Sequence, residues 1–181
     1  MLQFEDTNVI ALLIDYQVRL LPSIYNYEFL EAQTVNFIKG CRILELPILT
    51  IQQYTKGLGD TSDKLKEALG DFNYIEKISF SCCGNTEFIN ELNKLGKKNI
   101  LVAGIEAHIC VQQTVLDLVK LGYNVQVLAD CIGSRKDIDR IYAERRMERA
   151  GAAITTMESA LFELLKSADH PKRKEISNLV K

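Results

Sequence analysis

Short apolar runs alternate with longer amphipathic stretches along this chain. The first apolar run, residues 9–14, has no polar position, which is typical of a strand buried on both faces of a parallel sheet. Residues 28–45 then carry apolar side chains near helical spacing, and Pro47 separates them from a second apolar run at 48–51. The first part of the chain therefore predicts a strand, a helix and a second strand.

The same alternation continues to the last residues. Residues 55–75 are polar and contain glycine, and they predict a loop with a short helix near 62–68. The further predicted strands are 99–103, 125–129 and 153–155, and the further predicted helices are 85–95, 108–121, 137–150, 158–166 and one opened by His170–Pro171. Gly122 has the position of a glycine that ends a helix. We therefore predict an α/β fold, a three-layer αβα domain with a mainly parallel central sheet of about six strands.

Length and charge narrow the class of protein. The 181 residues suit one domain over 1–181, because two ordinary domains would need a longer chain. The net charge of -2 shows no excess of basic residues of the kind that binds nucleic acid, so we expect no nucleic-acid partner. No apolar run approaches the roughly 20 residues that span a bilayer, so we expect no membrane association. The acidic start of the chain is unlike a secretory signal, and a cytoplasmic location is expected.

The cysteines predict free thiols and no metal site. Their odd number, five, and their wide scatter argue for reduced thiols. They stand at positions 41, 82, 83, 110 and 131. With only two histidines in the chain, no Cys/His cluster has the spacing of a zinc site. We expect neither a metal nor another cofactor.

Reactive side chains follow several of the predicted strands. Asp15 comes directly after the first strand, Cys110 lies in the helix start that follows strand 99–103, and Asp130 and Cys131 follow strand 125–129. Ligands bind at the carboxyl ends of the strands in open α/β sheets. The sequence therefore brings a carboxylate and a thiol to the same edge of the sheet.

Each of these residues also has an ordinary explanation. Cys110 falls in the first turn of a helix, where unpaired N–H groups and the helix dipole favour the thiolate nucleophile, but cysteine is also a common buried residue. Asp15 is either a functional acid or a helix cap or satisfied buried carboxylate. Lys77, taken alone, reads as a solvated surface lysine. These alternatives stay open on the residues alone.

A resemblance to a known family adds to this interpretation. The segments Ile14–Gln17, Lys77–Ser81 and Gly104–Cys110 resemble the isochorismatase-like hydrolases, as do Gln53–Gly59 and Asp130–Arg135. The match is nearest to the small isochorismatase-domain-containing proteins and runs in order through the whole chain. The resemblance implies a Rossmann-like strand order and a cysteine hydrolase.

The resemblance also implies roles for individual residues. Asp15, Lys77 and Cys110 would be a catalytic triad, with the backbone amides of Ala107 and Cys110 as the oxyanion hole. A cis peptide bond is expected at Glu106–Ala107. Gln17, Phe80 and Glu106 would line the substrate pocket.

The chain departs from the family pattern in ways that concern its substrate. The stretch 52–55 has no histidine, unlike the metal cluster of nicotinamidases, and true isochorismatases lack the cysteine found at position 110. Ala107 replaces the common threonine. The leading prediction is hydrolysis of a small amide or related acyl compound through a covalent cysteine intermediate. Vinyl-ether hydrolysis through Asp15 and a catalytically silent binding or scaffold protein are the alternatives.

The expected partners are a small-molecule substrate and further copies of the same chain. Members of the family usually associate, and the segment 80–83 has few charges for a surface loop. We therefore expect a homo-oligomer.

Overall fold

The protein is built around one parallel sheet, seen in a computed structural model that describes Phe4 and residues 8–181. The six strands are β1 (Val9–Ile14), β2 (Ile48–Gln53), β3 (Ile75–Lys77), β4 (Asn99–Ile105), β5 (Asn124–Gly133) and β6 (Ala153–Thr155). Their order across the sheet is β3-β2-β1-β4-β5-β6, and all neighbours pair in parallel. The carboxyl ends of β1 to β4 therefore meet at one edge.

Helices cover both faces of the sheet. The α-helices are α1 (Tyr27–Ile43), α2 (Thr55–Leu58), α3 (Asp63–Leu69), α4 (Thr86–Leu95), α5 (Gln112–Lys120), α6 (Asp137–Arg149), α7 (Met157–Leu165) and α8 (Arg173–Leu179). Alternate residues of β1 point to opposite faces, as a strand requires. Ala11 packs with Phe37 of α1 and Leu161 of α7, whereas Leu12 packs in the core that holds Val115 of α5. The fully apolar first run is thus explained by burial on both faces.

The predicted fold class is confirmed, and the main differences are one additional strand and the extent of β5. Strand β3 was not predicted, because three residues in a polar segment carry no readable periodicity. Strand β5 extends beyond the predicted end at residue 129, so Asp130 and Cys131 lie within the strand and do not follow it. Its pairing with β4 shifts register between Val102 and Gly104, and this irregularity separates the two paired segments of the strand.

Two glycines have clear structural reasons. Gly122 has φ +83° two residues after the last residue of α5, as predicted for a glycine that ends a helix. Gly104 permits a close approach of β1 and β4, because a Cβ there would lie 2.6 Å from Cβ of Ile14 and 2.9 Å from its carbonyl oxygen. This contact sets the end of β1 directly against the segment that leads to Cys110.

Within Phe4 and residues 8–181, no helix combines the length and apolar character needed to cross a membrane.

Candidate active site

The ends of neighbouring strands bring together the three residues of the expected triad. Asp15 directly follows β1, Lys77 is the last residue of β3, and Cys110 lies in a π-helical turn, Ala107–Val111, that joins β4 to α5. Asp15 has φ +60°, a left-handed conformation that aspartate tolerates better than most residues. The three side chains therefore reach one site from positions 33 to 95 residues apart, which no local pattern specifies.

Asp15 and Lys77 form a buried ion pair. Lys77 Nζ lies 2.8 Å from Asp15 Oδ2, and neither side chain has any exposed surface. A single buried charge would be strongly unfavourable, so each of these groups depends on the other to remain ionised. Lys77 is therefore not the surface lysine that its local sequence suggests.

Lys77 is held in its charged form. Burial alone would lower its pKa, but the carboxylate of Asp15, through its charge and its hydrogen bond, more than reverses that effect, and the pKa is raised. The same ammonium also donates a hydrogen bond of 2.6 Å to Gln53 Oε1.

Asp15 has the properties of a base. Burial raises its pKa, and the charge of Lys77 and hydrogen bonds from Lys77 and Cys110 oppose that rise. Lys77 occupies only Oδ2; the other oxygen, Oδ1, is buried and has no partner at normal hydrogen-bond distance among the described residues. A carboxylate oxygen of raised basicity is therefore open to receive a proton.

The thiol of Cys110 holds its proton in the resting site. Burial raises its pKa and the carboxylate of Asp15 raises it further, while Lys77 opposes the change. The expectation that the helix start would favour a thiolate is therefore wrong for the resting site, because burial and Asp15 outweigh the favourable charges. Burial likewise raises the pKa of Cys82 to about 12 and of Cys83 to about 11.

The turn that carries Cys110 differs in one bond from the expectation. The cis peptide bond joins Ile105 to Glu106, one bond before the expected position. The amides of Ile109 and Val111 donate to the carbonyl of Glu106 at 3.0 and 3.3 Å, so these two donors are already engaged. The amides of Ala107 and Cys110 remain the predicted oxyanion hole.

The residues expected in the pocket have different surroundings. Gln17 is fully buried and bonded at both ends of its amide, so it supports the main chain and does not offer a free group to a ligand. Glu106 is buried and pairs with the exposed Arg135, whose Nε lies 2.8 Å from Glu106 Oε2. Phe80 is 54% exposed at the surface after β3. Gln17 therefore supports the main chain in this structure, and its place in the substrate pocket stays a prediction.

Two contacts of the site were missed by the sequence interpretation. Gln53, the last residue of β2, accepts hydrogen bonds from Lys77 and, at 3.9 Å, from the thiol of Cys110. Buried Thr114 donates to the carbonyl of Cys110 at 2.7 Å and accepts from the amide of Cys82 at 3.0 Å, which ties two turns together. The carboxyl-end rule points to Gln53, but an amide side chain gives no chemical signal by itself.

A surface cavity of about 380 Å³ opens elsewhere, beside the end of β5 and the start of α6. Its lining includes Tyr25, Asp130 and Ser134 and none of the three triad residues. The functional assignment therefore depends on the arrangement of side chains at the strand ends and not on this cavity.

The stretch 52–55, which lacks the histidine expected of a nicotinamidase metal cluster, takes part in a hydrogen-bond network. Gln52 is buried, and its Nε2 donates to Asp60 Oδ1 at 2.6 Å and to Thr61 Oγ1 at 2.9 Å. In the part of the chain that the structure describes, no three His, Cys, Asp or Glu side chains are grouped to hold a metal ion. Metal independence stays a prediction.

Comparisons with known proteins agree with this geometry. The chain is 36% identical over 172 residues to isochorismatase domain-containing protein 1 of Danio rerio, covering 92% of this chain and 59% of that protein. The solved structure of MAR1 ribonuclease from Caenorhabditis elegans is 37% identical, has a TM-score of 0.93, and covers 99% of this chain and 92% of that one.

A more distant structure shows the fold alone. The YcaC gene product of Escherichia coli, described as an octameric hydrolase of unknown specificity, has a TM-score of 0.89 at 24% identity, covering 99% of this chain and 88% of that one.

The family model named isochorismatase domain matches residues 9–159, a range that contains every residue of the triad. The order of the strands, the ends of β1, β3 and β4, and this match lead to the same conclusion. The chain belongs to the isochorismatase family, whose members are hydrolases.

Proposed function

We propose that this protein is a cysteine hydrolase that cleaves a small amide or related acyl compound through a covalent intermediate on Cys110. The observation that carries the proposal is the fully buried Asp15–Lys77 ion pair beside a buried thiol. A nucleophile, a base and a group that keeps the base charged are the components that covalent acyl transfer requires.

Proton transfer begins the proposed reaction. Asp15 removes the proton from the thiol of Cys110 as the sulfur attacks the carbonyl carbon, and the electron pair of the C=O bond moves to oxygen. The raised pKa of Asp15 suits this task, because a more basic carboxylate takes a proton more readily. The ammonium of Lys77 stabilises the negative charge that passes between sulfur and carboxylate.

The reaction then proceeds in two stages, the collapse of the tetrahedral intermediate to a thioester and the hydrolysis of that thioester. The C–N bond breaks as Asp15 returns its proton to the leaving nitrogen, which leaves a thioester on Cys110. A water molecule gives a proton to Asp15, attacks the thioester, and displaces the sulfur, which recovers the proton from Asp15. In this scheme the amides of Ala107 and Cys110 bind the oxyanion in both stages.

Two alternatives differ in their use of Cys110. Vinyl-ether hydrolysis would need Asp15 but not the thiol, and a silent binding protein would need neither. RNA cleavage, suggested by the name of the Caenorhabditis elegans relative, is less favoured. The chain has a net charge of -2, and the ammonium at the site is already paired with Asp15, so it is not free to bind phosphate.

A substrate panel tests the proposal. Small amides, carbamoyl compounds, isochorismate and an RNA are offered to the wild type, to Cys110→Ala and to Cys83→Ala, which removes a partly exposed thiol outside the triad. Amide turnover that is lost only in Cys110→Ala supports the proposal. Turnover of isochorismate or RNA that persists in Cys110→Ala would replace it with another activity.

We also propose that the protein is cytoplasmic and acts as a homo-oligomer on a small molecule. Ile78 and Phe80 are exposed apolar side chains on the segment after β3, and Tyr54 is exposed after β2. An apolar surface of this kind beside the site favours association between copies of the chain.

A further inference from the structure

Gln53 lies between the lysine and the thiol of the triad. Its Oε1 accepts a hydrogen bond of 2.6 Å from Lys77 Nζ and one of 3.9 Å from Cys110 Sγ. The lysine is thus shared between a carboxylate, Asp15, and a neutral amide oxygen. Gln53 therefore helps to decide where the ammonium points.

The orientation of this amide is fixed by its other end. Nε2 of Gln53 donates to the carbonyl of Ile78 at 2.7 Å, so the amide keeps its oxygen toward Lys77 and Cys110. Ile78 directly follows Lys77, and the amide of Tyr54 donates to the carbonyl of Lys77 at 2.9 Å. The end of β2 therefore forms hydrogen bonds with both the side chain of Lys77 and the main chain around it.

The main chain of Gln53 is held in turn by Gln17. The buried amide of Gln17 accepts from the N–H of Gln53 at 2.8 Å and donates to its carbonyl at 2.9 Å. A second hydrogen bond, 2.6 Å to the carbonyl of Gly59, anchors Gln17 to the loop after α2. Gln17 thereby holds the main chain of Gln53 in place.

The oxygen of Gln53 acts against a resting thiolate for two reasons. It brings a partial negative charge close to the sulfur, and it occupies one N–H of the ammonium that could otherwise turn toward the sulfur. Both effects keep the proton on Cys110 until Asp15 removes it.

We propose that Gln53 is a positioning residue of the triad, which holds the ammonium of Lys77 toward Asp15 and keeps Cys110 protonated before substrate binds. This inference deepens the proposed cysteine-hydrolase function and rests on it for its catalytic meaning. Gln17 acts through Gln53 as its main-chain support.

Alkylation of Cys110 by iodoacetamide tests the proposal without any substrate. The rate at Cys110 is followed by peptide mapping across about pH 6 to 9, where one unit of thiol pKa changes the thiolate fraction about tenfold. Gln53→Glu places a full negative charge at the same position, and Gln53→Met keeps the length of the side chain and removes the acceptor. Gln113→Glu is the matched control, because Gln113 is exposed on α5 and its added charge is screened by water.

The two variants have opposite expected effects. Gln53→Glu should slow alkylation of Cys110 about tenfold or more at each pH, whereas Gln53→Met should accelerate it about threefold or more. Gln113→Glu should keep the wild-type rate. General loosening of the structure would change the alkylation rate of Cys110 in the same direction in both Gln53 variants. That result, or an unchanged rate in both variants, overturns the proposal.

Folding and function are separated in the same experiment. A melting curve is recorded for each variant, and either variant alone still tests the proposal, because each has its own expected direction. Loss of amide turnover in Cys110→Ala tests the proposed function independently. Unchanged alkylation in both Gln53 variants together with Cys110-dependent turnover would reject the inference and keep the function.

Discussion

Replacing Lys77 by methionine tests the ion pair on which the site depends. The change removes an ammonium that lies 2.8 Å from Asp15 and has no exposed surface. At this separation and an effective dielectric constant near 20, the lost attraction is about 6 kcal/mol before the cost of desolvation. Removing one partner of a buried pair typically destabilises a protein by about 3–5 kcal/mol, because the other charge remains buried.

Asp15 avoids that penalty in the variant by taking up a proton. Without Lys77, only the hydrogen bond from Cys110 opposes the effect of burial, and the pKa of Asp15 rises above its already raised value. A protonated Asp15 cannot accept the proton of Cys110, so turnover should fall by at least about 10²-fold, the lower range for loss of a general base. Alkylation of Cys110 should also slow, because Lys77 opposes the rise in the pKa of the thiol.

The dependence of stability on pH identifies the cause. A group whose pKa is raised in the folded state contributes stability at low pH that is lost as the pH rises through the folded-state value. Lys77→Met should therefore lose more melting temperature, relative to wild type, at about pH 8 than at about pH 5. Adding Asp15→Asn removes the buried charge, so the double variant should regain melting temperature at the higher pH and remain inactive.

Two results would refute this reasoning. Wild-type turnover in Lys77→Met would remove the lysine from the mechanism, and a loss of stability independent of pH would show that packing, and not charge, is the cause. Lys77→Arg should recover little activity, because a planar guanidinium does not replace a compact ammonium in a fully buried position.

The remaining predictions need simpler measurements. Cys110 holds its proton at rest, but Asp15 can accept that proton as the sulfur attacks, so Cys110 should be the thiol most readily alkylated near neutral pH; first labelling of Cys83 in a peptide map would contradict the nucleophile assignment. The acid limb of kcat/KM should lie at higher pH than for an ordinary aspartate, because activity needs ionised Asp15 and burial raises its pKa; an acid limb near pH 4 would contradict this. Elemental analysis of the purified protein should find no stoichiometric zinc, iron or manganese, and bound metal near residues 52–55 would overturn that expectation. Light scattering at micromolar concentration should give a homo-oligomer, and a monomer would remove that expectation.

The sequence by itself determined the class of fold and placed two members of the candidate triad at one edge of the sheet. Apolar runs such as residues 9–14 indicate strands that are buried on both faces of a sheet. The helical spacing of apolar residues between these runs indicates the helices that alternate with the strands. Asp15 and Cys110 are found by the same reasoning, because residues that follow parallel strands meet at one edge. Lys77 came only from resemblance, since a three-residue strand in a polar segment carries no periodic signal.

Only the tertiary structure decided how these groups behave. The pairing of Asp15 with Lys77 joins residues 62 positions apart, and each buried charge is stable because the other lies within hydrogen-bond distance. The role of Gln53 and the protonated state of Cys110 likewise depend on burial and on charges from other strands. Desolvation and Coulomb interactions depend on distances in space, which local sequence patterns do not contain.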